Sequence, residues 1–179
     1  MKPLIAILLV ALGTGVSACA TPPSDARIGV DGPPDSTTEF NPVADLLGHS
    51  CGTLDCHGNV QRNLIIWSCY GLRLDGQVPG CRSMGGTNTT QDEYNATYRS
   101  LVALEPAVMT DVVLNDGADP NELTFVRKAF GEESHKGGTI FPLSLPDGGG
   151  PSLPDVCISS WLASNTNTAA CASALASAP

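Results

Sequence analysis

Aromatic residues are scarce in this chain, at 5% of 179 positions. A domain with so few large rings builds a small core and gains from cross-links, or from a buried group that enlarges it. Basic residues are scarce as well: nine Lys and Arg stand against 18 Asp and Glu, for a net charge of −9. A surface of that sign repels nucleic acid and anionic lipid headgroups, which excludes the classes that bind by phosphate contacts. The longest apolar run, Leu4 to Leu12, is far short of the ~20 residues that cross a bilayer as a helix. No long alternating strands, internal repeat, nucleophile elbow, phosphate loop or paired-carboxylate site stands out. The two N-x-T strings at Asn88 and Asn95 read as loop and helix-surface residues. Histidine and methionine occur three times each, so a metal site would draw on very few side chains.

Seven cysteines are present against this sparse background. The first belongs to the N-terminus. Lys2, the apolar run and small residues ending Val16-Ser17-Ala18-Cys19 predict a signal peptide over 1–18 with Cys19 as the lipidated first residue of the mature protein. Such a protein is held by its lipid and does not span the membrane. Ala20 after the cysteine, by likeness to known lipoprotein sorting, points to the outer membrane of the cell envelope. Removal of 1–18 leaves eight basic and 18 acidic residues, a charge of −10. Partners, where charge selects them, are then basic.

Six cysteines remain in the exported chain, where disulfides are permitted. Cys69 and Cys81 bracket one loop, and Cys157 and Cys171 bracket another. If both pairs close, Cys51 and Cys56 stay free. Three local disulfides, with Cys51–Cys56 as the third, satisfy the same count, and six cysteines allow fifteen pairings.

Residues 19–40 are rich in Pro, Gly and small polar groups and predict a disordered tether. One domain is expected over 41–171. Asn41 and Pro42 open a first helix that carries Val43, Leu46 and Leu47 and runs into Cys51. Residues 58–89 read as loop with a small hairpin. Thr90 and Glu93 form a capping box for a helix whose face is Tyr94, Tyr98, Leu101 and Val102. A short helix follows from Pro106 through Met109, Val112 and Val113. Another starts at Asp119-Pro120 and turns Leu123, Val126 and Phe130 inward before Gly131. Residues 131–151 are loop, 154–163 a last helix, and 172–179 a flexible tail. The fold class expected is a small, mainly α domain with long loops and disulfides.

The most telling string is Cys51-Gly52-Thr53-Leu54-Asp55-Cys56-His57, a C-x4-C-H arrangement. Two cysteines with a histidine directly after them is how a chain attaches haem c, usually as C-x2-C-H. The thiols form thioethers with the porphyrin, and the imidazole becomes an axial iron ligand. His57 is therefore the proximal candidate. For the distal position His135, inside a Gly-rich loop, is preferred over Met109, which sits among apolar residues as a core methionine would. His49 reads as a helix-end residue. Leu46, Leu47, Leu72, Trp161 and Leu162 are the expected walls of the crevice.

The C-x4-C-H string with Gly58, the segment Gly71-Leu72-Arg73-Leu74, the stretch from Leu123 to Gly131 with His135, and Ile158 to Leu162 with its Trp together resemble class I cytochrome c. More narrowly, they resemble the cytochrome-c-like domains of exported myxobacterial and planctomycete proteins. The departure is the spacing of the two cysteines. The resemblance implies covalent haem and outer-sphere electron transfer to a redox partner protein; with His57 and His135 filling both axial positions no substrate coordinates the iron, so an electron carrier and not an enzyme is expected. Three other readings stand beside it. Cys51, Cys56, His57 and His135 make a zinc cage by count. A thiol-redox site is a second, although C-x4-C is not C-x-x-C and no βαβ pattern surrounds it. A non-haem, disulfide-stabilised envelope lipoprotein with a binding or structural role is the third.

Overall fold

A computed structural model describes residues 29–144 and 149–178. The expected signal peptide, the lipidation site Cys19 and the first part of the tether lie outside these residues. Among them the protein is mainly helical, with six α-helices and no strand beyond two isolated bridges. Cys69–Cys81 and Cys157–Cys171 are disulfides, and Cys51 and Cys56 are free.

Helix α1 (Phe40–Cys51) runs through the centre. Phe40, Val43, Leu46 and Leu47 recur at helical spacing and are all buried. Phe40 packs on Trp161 with ring centres 5.3 Å apart and edge-on to Tyr98 at 5.2 Å. Trp161 belongs to α5 (Leu153–Leu162), which Ser152 caps by accepting from the Asp155 N–H. Both Trp161 and Leu162 are fully buried in this cluster.

The chain leading into α1 is fastened to the domain rather than free. Tyr98 donates to the Pro33 carbonyl at 2.6 Å, Trp161 to the Pro34 carbonyl at 2.9 Å, and the Asp31 N–H to Thr110 Oγ1 at 3.0 Å. The described end of the expected tether thus belongs to the fold, because prolines offer unopposed carbonyls to buried ring donors.

At the other end, the expected tail is helix α6 (Thr168–Ser177). Asn167 caps it, alanine supplies the propensity, and the Cys157–Cys171 bond pins it to α5. It packs against α1 and α5 through Ala170, Cys171 and Ala174. Closing a loop of this length contributes about 3 kcal/mol in the chain-entropy account.

Helix α2 (Gln91–Val102) has the capping box read from Thr90 and Glu93. Its inner face is a polar stripe. Glu93 accepts from the Leu74 N–H at 3.0 Å, Thr97 from the Trp67 N–H at 2.9 Å, and Ser100 from the Ile65 N–H at 2.8 Å. The expected hairpin over 58–89 is absent. The chain there pairs with side chains of α2 instead, and a 3-10 turn at Arg82–Met84 follows the Cys69–Cys81 link. Arg73 fixes the loop from inside. It bonds Glu93 through Nε at 2.8 Å and reaches the carbonyls of Val78, Gly80, Thr87 and Asn88. The side chains of Arg73 and Glu93 are 6% and 0% exposed, so this pair is sealed from water.

Helix α3 (Pro106–Leu114) buries Met109 and Val112. The next expected helix divides into a 3-10 turn at Pro120–Glu122 and α4 (Thr124–Ala129). Asp119 is left-handed at φ 51° and Leu123 is extended, which breaks the run, and the Glu105 carboxylate then receives the N–H and hydroxyl of Thr124.

Burial by itself would raise the Glu93 carboxyl, but bonds from Arg73, Thr90 and Leu74 and the Arg73 charge hold it below its ordinary 4.5. The folded state therefore binds fewer protons than the unfolded one. The stability this adds is present above the unfolded value and is lost as pH falls through the folded one. Glu93→Gln leaves Arg73 buried without a counter-charge and should cost about 3–5 kcal/mol at neutral pH. Urea unfolding of both proteins at pH 7 and at acid pH checks this. A neutral-pH midpoint equal to wild type would count against the ion pair as the loop's anchor.

Candidate functional site

The C-x4-C-H string begins where α1 ends. The Gly52 N–H closes the helix on the Gly48 carbonyl, and the His57 N–H returns to the Cys51 carbonyl at 2.9 Å. Between those two points the chain makes a turn, with the Cys56 N–H on the Thr53 carbonyl at 2.9 Å. Residues 53–56 are exposed, Leu54 at 61%. The additional residues are thus extruded to the surface while His57 is docked under the helix end. Gly58 lets this happen, since a Cβ there would collide with the Gly52 carbonyl oxygen. Arg62 ties the turn from outside by donating to the carbonyls of Asp55 and Cys56, each at 3.2 Å.

His57 is half-buried and held at both backbone and ring. Its carbonyl accepts from the Ile66 N–H at 2.8 Å, and its Nδ1 lies 2.9 Å from the Leu64 carbonyl. That carbonyl has no proton to give, so Nδ1 carries the hydrogen and Nε2 is the nitrogen left to ligate. Burial pushes the imidazole below its ordinary 6.5. The Leu64 bond opposes that shift, while the charges of His135, Arg62 and Lys128 add to it. The ring is therefore neutral at pH 7, the form in which it binds a metal.

His57 and His135 line one cavity of about 440 Å³, within the ~300–1,000 Å³ typical of ligand pockets. Cys51, Leu47, Leu64, Ile66, Phe125 and Ile140 share its wall. The two imidazoles are nearly parallel, 11° between planes, with centres 5.8 Å apart. That is wider than face-to-face contact at ~3.5–4.0 Å. One metal ion bound by both rings through bonds of about 2.0 Å would set their centres roughly 6 Å apart.

Of the expected site residues, Cys51, His57 and His135 meet at the cavity. Cys56 is exposed on the turn directly before His57. Met109 is fully buried and not part of the wall, so it packs as a core residue. His49 stands edge-on to Tyr70 at 4.9 Å. Of the five side chains expected as walls, only Leu47 serves, and Leu46, Trp161 and Leu162 belong to the α1–α5 core. Among the described residues no three His, Cys, Asp or Glu side chains gather closely enough for a metal ion, so the zinc cage is not assembled. The third disulfide is not formed either.

Several site residues were not read from the sequence. Thr124, Phe125, Lys128 and Ala129 form the cavity face of α4, and their i, i+1, i+4, i+5 spacing lies beside the core face of Leu123, Val126 and Phe130. The Leu64 carbonyl has no side-chain signature at all. In the loop after α4, Glu133 is partly neutralised by Arg127 at 3.1 Å and Lys128 at 3.3 Å. No protein-family model, curated protein or solved structure matches the chain.

The two thiols differ sharply. Burial, with a further contribution from Cys56, pushes the Cys51 thiol up to about 12. Because the thiolate is the reactive form, iodoacetamide at pH 8 should label Cys56 first and Cys51 far more slowly, as read by peptide mass spectrometry. Equal rates would contradict the half-buried placement of Cys51 beside the exposed Cys56.

Proposed function

We propose that the protein is a cytochrome-c-like electron carrier, exported and held at the cell envelope, at the outer membrane, by a lipid on Cys19. Cys51 and Cys56 bind haem c covalently, His57 is the proximal ligand and His135 the distal one. The observation that carries the reading is the pair of parallel imidazoles lining one mainly apolar cavity whose wall includes Cys51. Two neighbouring features support it. The cysteines of the motif are free while the four others are paired, and His57 has the hydrogen-bonded Nδ1 that metal-ligating histidines usually show.

The group, when bound, supplies an iron that passes between ferrous and ferric states. The rest is the chain's own work. The Leu64 carbonyl fixes the ring plane of His57, and Leu47, Ile66, Phe125 and Ile140 offer the group an apolar wall. Two histidine ligands favour a lower potential than a histidine–methionine pair. No helix among the described residues is long and apolar enough to cross a membrane. The partner is a second redox protein, basic where the overall acidity of the chain attracts it.

Expression in a periplasm equipped for cytochrome c maturation should yield haem that stays with the denatured polypeptide. Its reduced pyridine spectrum reads the result, and Cys51→Ala/Cys56→Ala should abolish it. A protein with no haem and no free thiols would instead be the disulfide-stabilised binding or structural lipoprotein. His135→Ala should keep the covalent haem but lose the low-spin optical spectrum. An unchanged spectrum removes His135 from the site.

A further inference from the structure

The two imidazoles that face each other are not held alike. His57 is fixed by three hydrogen bonds: its N–H to Cys51, its carbonyl to Ile66 and its Nδ1 to Leu64. His135 Nδ1 is buried and has no hydrogen-bond partner. What stands over that edge of the ring is the backbone of Gly137. A Cβ at Gly137 would lie 2.9 Å from His135 Cε1 and 3.1 Å from Nδ1, inside contact distance. The loop that carries His135 is also lightly held. Residues 136–139 are exposed, and Gly131 and Gly138 have positive φ. Its start is fastened by the N–H groups of Gly131, Glu132 and Glu133 on the Lys128 and Arg127 carbonyls, by Asn121 on Glu132 and by the Glu133 ion pairs, and its end by the N–H groups of Ile140 and Phe141 on the Ala129 carbonyl; between them, around His135 itself, the bond is the Gly138 N–H on the His135 carbonyl.

A ligating imidazole whose second nitrogen donates to an acceptor is a stronger base and keeps its orientation. Loss of such a partner typically costs about 10–100-fold in metal affinity. His135 lacks what His57 has. Resting on the haem reading above, we propose that His135 is an exchangeable ligand. The reduced protein takes up a small neutral diatomic, of the carbon monoxide class, on the His135 side of the cavity while His57 stays in place. The exchange changes no oxidation state: His135 Nε2 withdraws its lone pair and the incoming molecule supplies another. The displaced ring moves with a loop that is mostly in water, so little apolar surface is disturbed. The cavity is then a gated binding site as well as an electron-transfer site.

The test uses the haem-loaded protein, reduced with dithionite and mixed with carbon monoxide, with the Soret band followed in time. Uptake should be complete at a rate that levels off as carbon monoxide is raised, since the departure of His135 sets the limit. Gly137→Ala crowds the ring and should raise that limiting rate. After photolysis, the resonance Raman iron–histidine band should be that of a hydrogen-bonded imidazole, namely His57, in wild type and Gly137→Ala alike. Covalent haem that takes up no carbon monoxide overturns the exchange and leaves the electron-carrier reading standing. So does a rate that rises linearly without limit, because His135 would then not be the ligand displaced. A rate unaffected by Gly137→Ala also overturns it. A preparation without covalent haem sinks the carrier reading and the exchange together.

Discussion

The polar stripe along α2 is the constraint on which the rest of this fold depends. Residues 58–89 have no sheet partner, yet their backbone N–H groups enter the interior, where an unpaired donor costs about 1–3 kcal/mol. Glu93, Thr97 and Ser100, one helical turn apart, meet that need by accepting from Leu74, Trp67 and Ile65. A helix thereby does what a neighbouring strand does elsewhere. Glu93 is the most heavily used of the three. It also completes the capping box of its own helix and neutralises Arg73, so one carboxylate couples the start of α2 to the whole loop.

That arrangement reaches the cavity through a short path. Ser100 and Thr97 hold the N–H groups of Ile65 and Trp67, the Ile66 N–H holds the His57 carbonyl, and the Leu64 carbonyl holds the His57 ring. His57 thus takes its orientation from α2 although it lies beside α1. His135 approaches from the opposite side on a glycine-rich loop after α4. The cavity lies between a histidine whose ring is held by a main-chain acceptor and one whose ring nitrogen Nδ1 has no partner.

Much of the helical frame was legible because it is written in local rules. The capping box of α2, the apolar spacing of α1 and the terminal position of α5 are each set by a few neighbouring side chains. Helix α6 was not legible, since its stability comes from alanine propensity and a disulfide rather than from large apolar residues. The break before α4 follows from an extended Leu123 and a carboxylate nineteen residues away, and no window of sequence displays that contact. Cys51, His57 and His135 stand out in the sequence by type and setting, and the fold brings them to one cavity. The ring acceptor at Leu64 is main chain and could not be read there. The walls were misread because burial in the α1–α5 core and burial at the cavity give the same apolar signal, and only packing separates them.

The clamp between the Cys51 carbonyl and the His57 N–H has a further consequence. It closes the chain at both ends of the motif, so residues 52–56 form a loop whose length is uncoupled from the seat of the imidazole. Insertions there are absorbed at the surface, where each added residue changes closure entropy only logarithmically. Only the second thiol, carried on the loop beside the histidine, has its place altered by the count. Spacing between the cysteines is then a poor guide to whether such a chain keeps its crevice, and the telling pair is a carbonyl at a helix end and the amide that returns to it.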